Sequence, residues 1–322
     1  MELELEKRRA SNKSLSQFLQ EWAILFIFIG LFVISAIFVD GFFTYTNVIN
    51  IFRQISFLAI IALGQFFVIL VGGIDMSPGS SIGFFSLLLA GLIYWNGVPI
   101  GVAIVLVLIA SIVIGLVNGI LSVYGKLPAF IATLVTMIVL KGVNYLYSDG
   151  IPISGLPSGF KVLGAGYIGG IPIPVIILII ITLICWVFTM HTRTGRSLYA
   201  VGGNEEASRL SGINTNRIKL LAFVIGSVLT ALGTILITSR TMAGQPTLGD
   251  TMLFDIITIV VLGGTSLSGG RGKVFGVVIA ALILGIIDNV MVLLGIGSYW
   301  QWIIKGVILA AVVVIDAHSK KD

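Results

Sequence analysis

Ten apolar stretches, each close to the length of a bilayer span, constrain this chain most. They lie at about 22–39, 54–72, 79–96, 100–124, 128–148, 172–190, 220–239, 251–267, 274–294 and 300–317. A helix that crosses lipid needs ~20 apolar residues, because its backbone polar groups must be satisfied within the segment. We therefore predict an all-α polytopic membrane protein with one transmembrane domain over residues 1–322, in which some spans are broken or short.

Composition agrees with this class and excludes others. Hydrophobic residues make up 57% of the chain and charged residues 10%, whereas soluble domains have about 25% charged residues. The single Cys185 lies in an apolar run, which excludes an intrachain disulfide and a cysteine metal cluster. We expect no metal, no cofactor and no nucleic-acid partner. The first apolar run lacks a signal-peptidase site, so residues 1–21 are expected to stay as a cytoplasmic tail.

The positive-inside rule sets the expected orientation. With the N-terminus inside, fourteen of the nineteen basic residues fall on the inner side, and the other five fall on the outer side or outer half. The five are Arg53, Lys141, Lys161, Arg240 and Lys305. Both termini are therefore predicted to be cytoplasmic in a bacterial inner membrane. The loop at 148–172 then lies outside, either as a connector or as a contact for an external partner.

The interval His191–Lys219 is the one long polar stretch of this sequence. It holds five of the nineteen basic residues and lies between the apolar runs 174–190 and 220–238. A polar segment held between two spans is exposed to the water phase. We predict a cytoplasmic docking element over 191–219; the alternative is an ordinary capped helix in a loop without a partner.

Local signals predict a short helix inside this interval. Gly202-Gly203 are expected to break the chain before Asn204, which is a good N-cap residue. Glu205 and Glu206 follow in the first turn, where the helix dipole favours acids.

The other end of this short helix is marked by Gly212, which is placed as a C′ glycine. Arg209 follows Glu205 by four residues, so the two side chains are expected to pair on one face. Ala207 and Leu210 lie together on one side. The predicted docking residues are Gly203, Asn204, Glu205, Glu206, Ala207, Arg209, Leu210, Ser211 and Gly212.

The two halves of the chain align with a nearly constant offset. The matches are Ala62-Leu63-Gly64 with Ala231-Leu232-Gly233 (169), Pro78 with Pro246 (168), Gly115 and Gly125 with Gly285 and Gly295 (170), and Asn118 with Asn289 (171). The offset carries segment 2 onto segment 7, and five spans is an odd number, so the copies run in opposite directions. The sequence predicts an inverted repeat of segments 2–5 and 7–10, which is typical of transporters whose substrate path runs between the halves.

Helix breaks at matching positions point to that path. They are GGIDMSPG at 72–79 and MAGQPT at 242–247. Asp75 is costly next to a span, so it is a candidate path residue, and the alternative is that it caps the next helix. Other charged residues near spans are interpreted as interfacial snorkels, and the alternative is that they are site residues. These are Lys141, Lys305, Asp255 and Asp288.

Five stretches, in order over nearly the whole chain, carry a resemblance to a known family. They are GGIDMSPG (72–79), AFIATLV (129–135), TGRSLYAVGGNEEASRLSGI (194–213), AGQPT (243–247) and VLGGTSLSGGRG (261–272). The chain resembles the permease subunit of ribose-type bacterial ABC sugar importers, and GGNEEASRLSGI is the most specific match. Pro78 departs from the branched or small residue that this family usually has after Ser77, which bears on substrate preference.

The resemblance implies how such a chain works. A second permease copy would enclose the pathway, a cytoplasmic ATP-binding subunit would dock on the helix at 204–212, and an extracytoplasmic sugar-binding protein would deliver a ribose-like monosaccharide. Membrane lipid would surround the apolar faces. The sequence has no G-x-x-x-x-G-K-[ST] P-loop, and Gly269–Lys273 lacks its spacing. Hydrolysis would belong to the partner, so this chain is expected to be a transport subunit and not an enzyme.

The predicted translocation path combines the breaks with the repeat. Its residues are Asp75, Ser77, Pro78, Asn118, Phe130, Gln245, Thr247 and Asn289. Their polar groups would bond sugar hydroxyls and Phe130 would stack on a sugar face; the alternatives are interhelical hydrogen bonds and simple packing.

Other functions stay open on the sequence alone. An ABC permease for nucleosides or other small polar solutes would have similar spans. An ion-coupled secondary transporter needs ionisable residues in mid-span, and only Asp75, Asp255 and Asp288 come near that. A membrane enzyme is weaker still, because no metal cluster or nucleophile motif is present.

Overall fold

The computed structural model describes residues 22–318. The predicted tail at 1–21 and the last four residues lie outside the described residues, and so do six of the basic residues that set the expected orientation. These six are Lys7, Arg8, Arg9, Lys13, Lys320 and Lys321.

Each of the ten predicted segments contains a helix, which confirms the all-α polytopic fold. The helices are α1 (Trp22–Phe38), α2 (Tyr45–Leu70), α3 (Pro78–Tyr94), α4 (Ile100–Val123), α5 (Ala129–Ser148), α7 (Ile173–His191), α10 (Thr215–Thr241), α11 (Met252–Leu262), α12 (Val274–Leu293) and α13 (Ser298–His318). Among the described residues, seven helices are long and apolar enough to cross a membrane, and α1, α3 and α11 are shorter.

The connections contain shorter elements. They are β1 (Ile153–Ser154), a 3-10 turn (Ser158–Phe160), α6 (Lys161–Ala165), β2 (Tyr167–Ile168), β3 (Ile171–Pro172), α8 (Arg193–Gly203), α9 (Glu205–Leu210) and β4 (Ala243–Gly244). The strands form two antiparallel pairs, β1 with β4 and β2 with β3.

Two helices begin earlier than their apolar runs because of their caps. The Thr44 side chain accepts from the Asn47 backbone N–H at the start of α2, and Asn214 does the same for Arg217 at the start of α10. An N-cap side chain satisfies the free N–H groups at a helix start, whether or not the following residues are apolar. Helices α2 and α10 therefore each begin with a more polar segment before the apolar run starts.

The core is built around α2 and α10, which pack antiparallel with glycine at the contact. A Cβ atom on Gly64 would lie 2.6 Å from the Gly226 carbonyl oxygen, and one on Gly233 would lie 2.9 Å from that of Phe57. In lipid the hydrophobic effect does not drive helices together. Close packing of backbones at small residues drives their association instead.

These contacts have the symmetry that the predicted repeat requires. Gly233 follows Gly64 by 169 positions, and Gly226 follows Phe57 by the same number. Helix α10 packs on α4 as α2 packs on α12, and α3 packs on α10 as α11 packs on α2. The match of Gly115 with Gly285 at 170 then places Asp288, and not Asn289, at the position of Asn118.

The antiparallel core puts the two helix breaks at opposite ends of the molecule. The first break (residues 71–77) joins α2 to α3 at the end that also carries α8 and α9, since Gly202 of α8 touches the Leu70 carbonyl. The second break (residues 242–251) joins α10 to α11 at the other end. We call the two ends the α9 face and the opposite face. Helix α13 packs on α11 and has no buried residue.

Candidate functional site

The predicted short helix at the α9 face is present. It is α9, and the Asn204 side chain accepts a hydrogen bond of 2.9 Å from the Ala207 backbone N–H as its N-cap. The expectation that Gly202-Gly203 lie in a break is wrong, because both residues belong to the last turn of α8. The chain turns one residue later, where Asn204 takes an extended conformation.

The C-terminal end of α9 is closed as the glycine predicts. Gly212 has φ +84°, its N–H donates to the Arg209 carbonyl at 3.0 Å, and the Ile213 N–H donates to the Ser208 carbonyl at 3.0 Å. These two bonds form a Schellman motif, which needs a residue that tolerates the left-handed region. Both ends of a two-turn helix are thus capped, which stabilises it without deep burial.

The charges on α9 pair differently from the expectation. Arg209 bonds Glu206 at 2.7 Å and not Glu205, and Glu205 pairs instead with Lys219 on α10. The spacing of four residues allows Glu205 and Arg209 to pair, but α10 packs against α9 and brings another cation, Lys219, next to Glu205. Leu210 is 79% exposed, so α9 presents an apolar side chain among charges, as a docking helix requires.

A surface groove runs along α9 where it meets α10. Its volume is 600 Å³, and its lining residues are Glu205, Glu206, Arg209, Ile213, Asn214, Thr215 and Asn216. Three of these residues are predicted docking residues.

The first break is a buried polar cluster. Asp75 and Ser77 are 3% and 2% exposed, and the Ser77 backbone N–H donates to Asp75 Oδ1 at 2.8 Å. With its amide oriented to suit its neighbours, the Gln65 side chain bonds both the N–H and the C=O of Asp75 at 3.2 Å. The Asp75 side chain therefore closes a turn just before α3, whose N-cap is Ser77, and Gln65 satisfies the Asp75 backbone.

Two further helices close on this break. Asn118 of α4 donates from Nδ2 to Ser77 Oγ at 2.9 Å, and Thr133 Oγ1 of α5 accepts from the Met76 N–H at 2.9 Å. Asn118 Oδ1 has no hydrogen-bond partner among the described residues. The structure thus brings together the predicted residues Asp75, Ser77 and Asn118, with Pro78 in the first turn of α3.

The second break lies against α3 and α5. Ser86 Oγ of α3 accepts from the Gln245 backbone N–H at 3.3 Å and from Thr238 Oγ1 at 2.8 Å. Asn144 Nδ2 donates to the Ser80 carbonyl at 3.0 Å and the Pro246 carbonyl at 3.3 Å. Sequence reasoning missed Ser86, Asn144 and Thr238; their signal was a polar side chain inside an apolar span.

The loop on this face folds onto the second break. Strand β1 pairs with β4, with Ile153 opposite Gly244. Ser239 Oγ donates to the Phe160 carbonyl at 2.5 Å and accepts from the Gly164 N–H at 2.8 Å. The loop at 148–172 is therefore anchored on the second break at a few buried positions, while most of its residues are exposed, and its role toward an external partner stays a prediction.

Two predicted path residues lie apart from these clusters. Phe130 is 46% exposed in the first turn of α5. Asn289 exchanges two hydrogen bonds with Asn47, of 2.9 and 2.7 Å. The eight residues do not form one site in this conformation, and their role in a path stays a prediction.

A largely buried ion cluster joins α11, α12 and α13, with side chains that are 12% to 21% exposed. Lys305 Nζ lies 2.8 Å from Asp255 Oδ2 and 2.9 Å from Asp288 Oδ2. The interpretation of these three residues as snorkels is wrong, because their charges pair with one another between the helices. Lys141 pairs with Asp250 at 3.4 Å in an exposed position, and its interpretation as a snorkel stays a prediction.

Fold and site together define a class: a multi-pass helical membrane protein with buried helix breaks, an intramembrane ion cluster and a capped polar helix at one face. Residues 47–313 match the family model described as branched-chain amino acid transport system / permease component. The chain belongs to this permease family.

Several characterised permeases are similar over nearly their whole length. Identity is 41% to the ribose import permease protein of Haemophilus influenzae, covering 97% of this chain and 98% of the relative. It is 41% to the ribose import permease protein of Bacillus subtilis, covering 98% and 97%. It is 34% to the D-allose transport system permease protein of Escherichia coli, covering 98% of each. No solved structure matches. These relatives confirm that the chain is a transport subunit and not an enzyme.

Proposed function

We propose that this chain is the transmembrane subunit of an ATP-driven importer that moves a ribose-like monosaccharide into the cytoplasm by alternating access. The observation that supports a ribose-like substrate is the similarity to two ribose import permeases, at 41% identity over nearly the full length. The similarity to the D-allose permease, at 34% identity, supports other monosaccharides as alternative substrates.

In this proposal the energy comes from ATP hydrolysis by a partner subunit that docks at α9. The helix is capped at both ends, projects Leu210 and carries a groove on its α10 side. A cytoplasmic ATP-binding subunit that closes on ATP would push this helix, and an extracytoplasmic sugar-binding protein would deliver solute at the opposite face. With that orientation both termini are cytoplasmic.

A second copy of the chain completes the pathway in this proposal. Helix α13 has no buried residue, and about seven in ten residues of the spans α4 and α5 remain unburied within one chain (28% buried in each). Lipid can cover apolar side chains, but a solute path between copies requires faces that one chain does not fill.

The two breaks mark the ends of the proposed path. The freed backbone groups and polar side chains at Asp75, Ser77, Asn118, Gln245 and Thr247 supply hydrogen bonds of the kind that a sugar exchanges with water. Such a path has low affinity, so that selectivity rests with the sugar-binding protein.

Reconstitution tests this function. The chain, its ATP-binding subunit and its sugar-binding protein are placed in proteoliposomes, and radiolabelled ribose uptake is measured with ATP, without ATP and with a proton or sodium gradient alone. We expect uptake only with ATP and the binding protein. Uptake driven by the ion gradient would overturn the proposal, and uptake of nucleosides in place of ribose would replace the substrate class.

A further inference from the structure

Five glycines from three separate segments meet at the α9 face. Gly72 follows α2 in the first break, Gly202 and Gly203 end α8, and Gly269 and Gly270 lie in the loop between α11 and α12. We call these five residues the glycine junction. A cavity of 290 Å³ lies beside it, lined by Gly202, Gly203, Gly269 and Gly270 with Ser266, Ser268 and Arg271.

The contacts at this junction are backbone against backbone. The Gly270 N–H donates to the Leu70 carbonyl at 2.9 Å, which satisfies one of the carbonyls left unpaired at the end of α2. A Cβ atom on Gly269 would lie 2.7 Å from the Gly72 nitrogen and 3.0 Å from the Gly202 oxygen. One on Gly202 would collide with the Leu70 carbonyl and lie 2.5 Å from the Gly270 nitrogen.

Backbone conformation requires glycine in the loop as well. Gly269 and Gly270 have φ values of +84° and +73°, a region that glycine enters at no steric cost. The Tyr199 hydroxyl of α8 adds a bond of 3.1 Å to the Gly272 carbonyl. Burial raises the pKa of Tyr199, so the hydroxyl stays protonated and remains a donor.

The junction connects three functional elements. Gly203 directly precedes Asn204, the N-cap of α9. Gly72 directly precedes the segment that holds Asp75. On its third side, the Leu267 N–H of the same loop approaches Asp316 Oδ2 of α13 at 3.4 Å.

We infer that the glycine junction transmits displacement of α9 to the first break, so that Gly202, Gly269 and Gly270 are positioning residues for the opening of the pathway at the α9 face. Packed backbone has low compressibility and no rotamers with which to absorb a shift. A push on α9 moves the end of α8, which bears on Leu70 directly and on Gly72 through Gly269. The inference rests on the proposed function, since a cytoplasmic partner must supply the push.

Two helical glycines provide a matched pair of variants. Gly202→Ala inserts a methyl group into the contact with Leu70, whereas at Gly30 of α1 an added Cβ meets nothing within 4 Å. Both residues are helical, so the two substitutions share the same gain in helix propensity. In the reconstituted complex, sugar uptake per ATP hydrolysed should fall by about fivefold or more in Gly202→Ala, the lower end of couplings between sites. Gly30→Ala should match the unsubstituted complex.

A gentler variant covers the case in which Gly202→Ala does not assemble. Tyr199→Phe removes the bond to Gly272 together with the side-chain hydrogen bond to Thr189 of α7, and should lower uptake per ATP by about twofold to fivefold while co-purification of the ATP-binding subunit is unchanged. Tyr124→Phe, at an exposed tyrosine of the same face, is its control.

The outcomes separate the two claims. Absence of ATP-dependent uptake by the unsubstituted complex overturns the proposed function and the inference with it. Normal uptake per ATP in an assembled Gly202→Ala complex, or in Tyr199→Phe, overturns the glycine junction alone and leaves the proposed function intact.

Discussion

The two helix breaks occupy matching places in the repeat but are built differently. The first break spans residues 71–77, is buried, and is held by side chains of α2, α4 and α5. The second break spans residues 242–251, exposes Thr247 and Asp250, and is held by a strand pair and by Asn144. The helix after the first break has 17 residues, and the helix after the second has 11.

This difference teaches that the repeat decides where helices stop, and the neighbouring loops decide how firmly the ends are held. The first break lies beside the glycine junction, and its polar side chains are buried. The second break is held from the opposite face by the loop at 148–172. The short α11 is anchored by charges, with Asp255 and Asp288 around Lys305. At the corresponding positions α3 is held by uncharged hydrogen bonds, from Asn118 to Ser77 and from Thr238 to Ser86.

The largest effect is expected at the anchor of α11. Lys305→Met leaves two buried carboxylates without their cation, which should cost about 3–5 kcal/mol. Thermal unfolding in detergent measures it. The control is Lys141→Met, which removes a similar cation from an exposed pair and should cost about 0–1 kcal/mol. Equal melting temperatures for the two variants would show that the buried cluster does not anchor α11 and α13.

The next effect compares one asparagine at each break. Asn144→Leu removes two donated bonds, to Ser80 and Pro246, and should cost about 1–3 kcal/mol. Asn118→Leu removes only one bond, to Ser77, and among the described residues the side-chain oxygens of both asparagines have no partner to lose. Its cost should therefore be smaller, as seen by denaturation in detergent. A larger loss at Asn118 would reverse this ranking.

Solvent access to the two breaks should also differ. In a Cys185→Ala background, Thr247→Cys should react with an aqueous maleimide at least about tenfold faster than Ser77→Cys, because reaction of the buried site requires local opening. If the first break lines the path, ATP and the partner subunits should raise the rate at Ser77→Cys. Equal rates without ATP would contradict the buried first break, and a Ser77→Cys rate that no transport state changes would remove that residue from the path.

The smallest effect is expected at the surface of α9. Reversing one member of the Glu205–Lys219 pair should change stability by less than about 1 kcal/mol. In the complex it should still lower ATP-dependent uptake, because the pair holds α9 against α10. The double reversal, Glu205→Lys with Lys219→Glu, should recover part of the loss. No recovery would mean that Glu205 acts on the partner subunit and not through Lys219.

Much of the fold and part of the site could be predicted from local signals. The span-length apolar runs give ten helices, and the cap residues Asn204 and Gly212 give α9 almost to the residue, because capping involves bonds between neighbours in sequence. The internal repeat could be detected from matching glycines, because the contacts between α2 and α10 leave no room for a side chain.

Pairings between distant residues could not be predicted in the same way. Glu205 lies close in sequence to Arg209 but pairs with Lys219, and Lys305 finds acids 50 and 17 positions away. The offset for Asn118 was one residue off, which selected Asn289 in place of Asp288. Single polar residues within apolar runs, such as Gln65 and Asn144, form no sequence pattern that would show which helix break they hydrogen-bond.

The amino-acid sequence by itself determined that this chain spans a membrane as helices, where those helices break and which polar helix faces the water. The reason is that lipid demands internal hydrogen bonds and caps act over a few residues. Only the tertiary structure decided which charges meet, that Gly202 and Gly270 press on the end of α2, and how tightly each break is closed. Those contacts join segments up to two hundred residues apart, and their geometry depends on how the whole helical bundle packs.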